Sequence, residues 1–167
     1  ASFDGLNGSQ PWAGPLVQNG NGDLYGTTAH DGPKNGIYGY GSIFRISATN
    51  VLENLFTFNV HNGYELYGGL SLGNNGNMYG STAFGGSLHG GTIFKLEPNG
   101  TVTTLVSFNG LNGTNGINPF SAPLAAGDGN LYGTTLCGGA SFGNTNSVNW
   151  QGFGTIFKLT SDGAMNT

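Results

Sequence analysis

Acid–base or metal chemistry in this 167-residue chain would have to come from eight carboxylates, three histidines and one cysteine, and their placement favours little of it. Glycoside hydrolysis requires two carboxyl groups held roughly 5 to 10 Å apart across a sugar. Asp23, Glu97, Asp128 and Asp162 fall in Gly- and Asn-rich stretches that read as tight turns, where a carboxylate bonds to its own backbone. Asp31 and Glu65 lie in less regular segments and are the better acid–base candidates, but nothing in the sequence pairs them. His30, His61 and His89 show no His-x-His or His-x3-His spacing, and Cys137 stands alone. A histidine or cysteine metal site is therefore not expected, nor is a disulfide framework. The turn Asn19-Gly20-Asn21-Gly22-Asp23 resembles a calcium loop without its closing bidentate glutamate. Nothing in the residues calls for a cofactor.

A second chemistry is available to aromatic side chains placed beside amides, which stack on sugar rings and bond their hydroxyls. Such residues gather in two places. One stretch carries Phe142, Asn149, Trp150 and Gln151; the other carries His30, Asp31, Tyr38 and Tyr40. These eight residues are the candidate ligand-binding set. The competing reading is that Trp150 and Tyr38 only plug the edge between neighbouring elements. Trp12 aligns near Phe120 and is expected in the core.

The elements that position both stretches come from a repeat. Leu24-Tyr25-Gly26-Thr27-Thr28, Met78-Tyr79-Gly80-Ser81-Thr82 and Leu131-Tyr132-Gly133-Thr134-Thr135 recur 54 and then 53 positions apart. Each is followed by Gly-(Ser/Thr)-Ile-Phe-(Arg/Lys)-(Ile/Leu), beginning at Gly41, Gly91 and Gly154. Aromatic and β-branched runs bounded by Gly and Asn predict strands joined by tight turns. In the third copy, Ala122–Ala126, Leu131–Cys137 and Gly154–Leu159 read as strands, with a turn at Ser161-Asp162-Gly163 leading to a fourth. Val51–Phe58 and Thr101–Phe108 are the fourth strands of the first two copies. His30 shares its repeat position with Phe84 and Cys137, which predicts a half-buried strand residue; His61 and His89 fall in connections. The connection between the two conserved phrases spans 13, 9 and 19 positions in the three copies. Insertions at one point of a repeat map to loops on one face, often the binding face, and the candidate ligand residues lie in the two longest.

Four antiparallel strands per repeat of about 53 residues, with no helical periodicity, describe a propeller blade. The fold class expected is all-β, a propeller-like array of three four-stranded blades in a single repeat domain spanning 1–167. The repeats run from about 4–58, 59–108 and 109–167, the last sharing its final strand with residues 1–3. Ser2-Phe3-Asp4-Gly5-Leu6-Asn7-Gly8 matches Ser107-Phe108-Asn109-Gly110-Leu111-Asn112-Gly113, so copies placed head to tail would continue the repeat with a gap of about two residues. Three blades do not close a ring, since propellers have about four to eight. Another chain, or neighbouring repeats of a longer chain, is expected to complete it. A single-chain β-trefoil is the alternative.

The phrases Leu131–Thr135, Gly154–Leu159 and Asn99–Phe108, with Gly-Gly and Asn-Gly between them, resemble the GloVer-type choice-of-anchor tandem repeat family. The likeness covers nearly the whole chain. The first copy departs from the pattern with Ser42-Ile43-Phe44-Arg45-Ile46 and a longer excursion. The resemblance implies a secreted or surface-attached bacterial protein of propeller-like fold and brings no catalytic residue to transfer.

Composition narrows the partners. Charged residues make up 7% of the chain, Gly accounts for 33 positions, and there are four Lys/Arg, too few to neutralise a phosphate backbone. A nucleic-acid partner is not expected. No stretch approaches the ~20 apolar residues of a membrane helix. The chain opens at Ala1 without a charged-then-apolar leader, which reads as a processed secreted protein or a fragment. The expectation is an extracellular or cell-surface, non-catalytic module for binding or self-assembly, with a glycan as the candidate small partner and a homo-oligomer as its form. A ring or filament subunit and a polysaccharide-active enzyme are the alternatives.

Overall fold

A computed structural model describes residues 1–5, 7–11, 14–30, 39–111, 113–140 and 152–166. These form three four-stranded antiparallel sheets, one per repeat, each in sequential order. The first blade holds β1 (Val17–Gln18), β2 (Leu24–Thr28), β3 (Ser42–Ile46) and β4 (Leu52–Thr57). The second holds β5 (Leu70–Leu72), β6 (Met78–Thr82), β7 (His89–Leu96) and β8 (Val102–Asn109). In the third are β9 (Leu124–Ala125), β10 (Leu131–Thr135), β11 (Thr155–Leu159) and β12 (Met165–Asn166). Among the described residues there is no α-helix, only a 3-10 turn at Gly113–Asn115. Three separate sheets meet the propeller-like expectation, and a trefoil would instead have shared its strands in one barrel.

The repeated phrases are explained by two contacts. Gly26, Gly80 and Gly133 face Phe44, Phe94 and Phe157 across the β2–β3, β6–β7 and β10–β11 ladders. A Cβ on these glycines would come within 2.5, 2.4 and 2.4 Å of the phenylalanine Cζ, so the glycine is the space in which the ring lies. Two residues along, hydroxyls pair across the same strands: Thr28 with Ser42 at 2.8 Å, Thr82 with Thr92 at 2.8 Å, and Thr135 with Thr155 at 2.9 Å. The first hydroxyl of each pair also accepts the backbone N–H of its partner residue, at 3.1, 3.1 and 3.0 Å. In the first two blades these polar groups are enclosed, and the pairing satisfies them where water does not reach; in the third, Thr155 is half-exposed.

Blades join face to face through apolar clusters. One unites Tyr25, Ile43 and Phe58 of the first repeat with Leu66, Met78 and Phe94 of the second. The next unites Tyr79, Ile93 and Phe108 with Leu131, Phe157 and Leu159. A phenylalanine ending one fourth strand lies on the central phenylalanine of the following blade: Phe58 on Phe94 at 5.0 Å between ring centroids, Phe108 on Phe157 at 5.5 Å. Phe3 lies on Phe44 at 5.0 Å in the same relation, as its match to Phe108 predicts.

The crossing from one blade to the next is latched by a residue in the left-handed region, with φ of +55° at Gln10, +59° at Glu65 and +58° at Asn118. Their carbonyls accept the N–H of Ala29, Ala83 and Leu136 at 3.2, 3.0 and 3.0 Å. The Glu65 and Asn118 N–H groups reach back to the Tyr40 and Gly90 carbonyls of the preceding blade at 3.1 and 2.8 Å. Asn118 adds an Nδ2 bond to the Ala83 carbonyl at 2.9 Å.

Two local expectations need correction. Cys137 is buried but lies beyond β10, in an isolated bridge to Ile117, because the chain turns there at Gly138 and Gly139 with φ of +88° at both. His89, expected in a connection, opens β7 with φ of +64° at a register irregularity in the β7–β8 ladder.

Candidate functional site

Six of the eight candidate ligand residues, Asp31, Tyr38, Phe142, Asn149, Trp150 and Gln151, lie outside the described residues, as does Trp12. The other two flank the first long connection. His30 is half-buried, as its repeat position predicts, but lies beyond β2 in an isolated bridge to Ser9 rather than in a strand, and its Nδ1 donates to the Gly39 carbonyl at 3.1 Å. Tyr40 is exposed at the other end, its ring against Tyr64 at 5.6 Å.

That contact begins a run of rings along one rim of the blades. Tyr64 stacks on Phe84 at 5.7 Å, Phe84 meets Phe120 edge-on at 6.1 Å, and Phe120 stacks on Tyr67 at 5.3 Å with 9° between planes. All but Tyr40 are half-buried. Glu65 sits among them and accepts a hydrogen bond from the Tyr67 hydroxyl at 2.7 Å. Burial, then that bond, push the Tyr67 phenol up to about 12, and burial also raises that of Tyr64. At neutral pH both phenols carry their proton, and that of Tyr67 is given to Glu65. This rim was legible only in part: Phe120, Tyr67 and Trp12 share a repeat position, so the aromatic there was visible in the sequence, but its half-exposed setting was not.

Charge is spent locally. Arg45 pairs with Glu53 at 2.7 Å, Lys95 with Glu97 at 2.7 Å, and Lys158 lies 4.0 Å from Asp128. Three of the four cations in the sequence are thus tied to neighbouring carboxylates rather than gathered into a basic surface. Among the described residues no three of His, Cys, Asp and Glu come together, and no helix is long and apolar enough to cross a membrane. Two interblade clefts, at Asn19–Tyr25–Met78 and at Asn75–Tyr79–Leu131, hold about 160 and about 200 Å³. Ligand pockets commonly hold about 300 to 1,000 Å³.

The strongest departure from the repeat is at the outer faces. Ile43 and Ile93 are fully buried against the following blade, whereas Ile156 in the same position is 77% exposed. Ala29 and Ala83 are likewise buried while their counterpart Leu136 is exposed, and Leu124 and Phe153 join it at the surface. On the opposite face of the array, Leu70 is 5% exposed and its first-blade counterpart Leu16 is 48% exposed. Leu24 and Ile46 are half-buried there, where Met78 and Leu96 are enclosed.

The sequence model of the Gloeobacter/Verrucomicrobia repeat matches residues 1–167. The chain belongs to this repeat family. No functionally curated protein matches it. In the Gloeobacter/Verrucomicrobia repeat as this chain builds it, the family phrases are the glycine seats, hydroxyl pairs and interblade phenylalanines, all of them framework. The Gloeobacter/Verrucomicrobia repeat thereby accounts for why the blades form and assigns no reacting group.

Proposed function

We propose that the chain is a non-catalytic extracellular or cell-surface repeat module whose role is assembly, the end faces of its blade array receiving further blades of the same kind. The observation that carries this reading is Ile156, exposed where Ile43 and Ile93 are buried by the next blade. Apolar surface of this kind drives association. The mass of the chain in solution over a range of concentrations tests it: association is expected, and a monomer at every concentration removes the reading.

A second reading, glycan recognition, is favoured by the rim where Tyr40, Tyr64, Phe84, Phe120 and Tyr67 follow one another beside Glu65. Flat rings with phenol and carboxylate groups at their edges suit a pyranose. A glycan array with wild-type, Tyr64→Ala and Trp150→Ala chains checks it. Binding that neither substitution weakens counts against the rim and against the long third-repeat connection.

A further inference from the structure

We infer that the exposed third-blade face receives the first blade of a second copy of this chain, docked head to tail. The inference rests on the assembly reading above and names its partner. Its template is the pair of interfaces inside the chain. At each, a face bearing Tyr25 and Ile43, or Tyr79 and Ile93, meets a face bearing Met78, Phe94 and Leu96, or Leu131, Phe157 and Leu159. The third blade presents the first kind of face, through Tyr132 and Ile156, and among the described residues none covers Ile156, which is 77% exposed. The first blade presents the second kind, through Leu16, Leu24 and Ile46, beside a Phe44 that Phe3 of the same chain covers. The two open faces are therefore the two halves of an interface that the chain already makes twice.

Backbone groups are in register with the same docking. The Glu65 and Asn118 N–H groups bond to the carbonyls of Tyr40 and Gly90. Gln10 has their left-handed geometry, and its carbonyl, like theirs, accepts an N–H from just past the second strand of its own blade (Ala29); Phe153 occupies the Tyr40 and Gly90 position immediately before Gly154. In the pair, the Gln10 N–H of one copy donates to the Phe153 carbonyl of the other. Phe3, already lying on Phe44, follows in line with β12 of the neighbouring copy, as Phe58 and Phe108 close the fourth strands within the chain. Unlike faces generate a ring when the rotation closes.

Sedimentation equilibrium of the wild-type chain, of Ile156→Asp, of Leu16→Asp, and of the two variants mixed tests this. Both substitutions are at exposed positions, and circular dichroism confirms that each variant keeps its strands. The wild type is expected above the chain mass, each variant alone at the chain mass, and the mixture at twice the chain mass, because one intact interface is regenerated. Should Leu16→Asp stay paired while Ile156→Asp does not, the contact is like face on like face and head-to-tail docking is wrong. A wild-type monomer overturns this docking and the assembly reading together.

Discussion

The single glycine of the Tyr-Gly-Thr phrase is the residue on which each blade turns. Its role is steric, since none of Gly26, Gly80 and Gly133 has a positive φ, and all three lie under a phenylalanine ring. Gly80→Ala places a methyl group 2.4 Å from Phe94 Cζ in a fully buried site. Overpacking of this kind costs about 1–3 kcal/mol, and urea denaturation should show a loss in that range. Asp128 shows the opposite behaviour, a surface carboxylate held by its own turn. Hydrogen bonds from the Asn130 side chain first, then from its backbone and from Tyr132, bring the Asp128 carboxyl down to about 2 from an ordinary 3.8. A depressed carboxyl stabilises the folded turn above its unfolded value and loses that contribution as pH falls from about 4 toward 2. A carbon-detected NMR titration should find the Asp128 midpoint near 2, and Asn130→Ala should raise it toward the usual range.

At the level of elements, the hydroxyl pairs tie each second strand to its third. Thr82 is the clearest case, because its Oγ1 donates to the Phe84 carbonyl at 3.2 Å or pairs with Thr92 Oγ1 while accepting the Thr92 N–H. Thr82→Val preserves shape and strips the hydroxyl, leaving the buried Thr92 N–H without its acceptor. The expected cost is about 1–3 kcal/mol, readable as a lowered midpoint with an unchanged denaturant slope. The turns that enter each repeat follow a similar logic. Asp4 and Asn7 exchange backbone-to-side-chain bonds at 3.0 Å each, and Asn59 and Asn62 do the same at 2.7 and 3.2 Å. The motif Phe-(Asp/Asn)-x-x-Asn-Gly was visible in the sequence as a repeat. Its reciprocal bonding was not, because that depends on the chain folding back over three residues. Strand lengths were less legible: Ala122–Ala126 reads as a strand, yet only Leu124–Ala125 pairs, since pairing stops where the neighbouring strand diverges.

For the whole molecule, the middle blade alone has both faces covered by the described blades on either side. Local opening follows burial of apolar contacts, so protection should not be uniform. Amide hydrogen exchange on the monomeric Ile156→Asp chain is expected to be slowest in β6 and β7 and faster in β11, whose outer face is open at position 156. Equal protection in all three blades would mean that each folds on its own face contacts, contrary to the stacking dependence expected of repeats.

The three-repeat, four-strand architecture and the framework role of the Tyr-Gly-Thr and Ile-Phe phrases were already determined by the sequence, because period, strand alternation and turn chemistry are local properties written three times. Candidate ligand residues were also found by local composition, but of these only His30 and Tyr40 lie among the described residues. The exposed Ile156 face and the rim from Tyr40 to Tyr67 were decided by tertiary structure alone. Ile43, Ile93 and Ile156 stand in the same phrase, and nothing along the chain distinguishes them. What distinguishes them is whether another blade lies on top, and burial is a relation between elements that a residue's own neighbours in sequence do not carry.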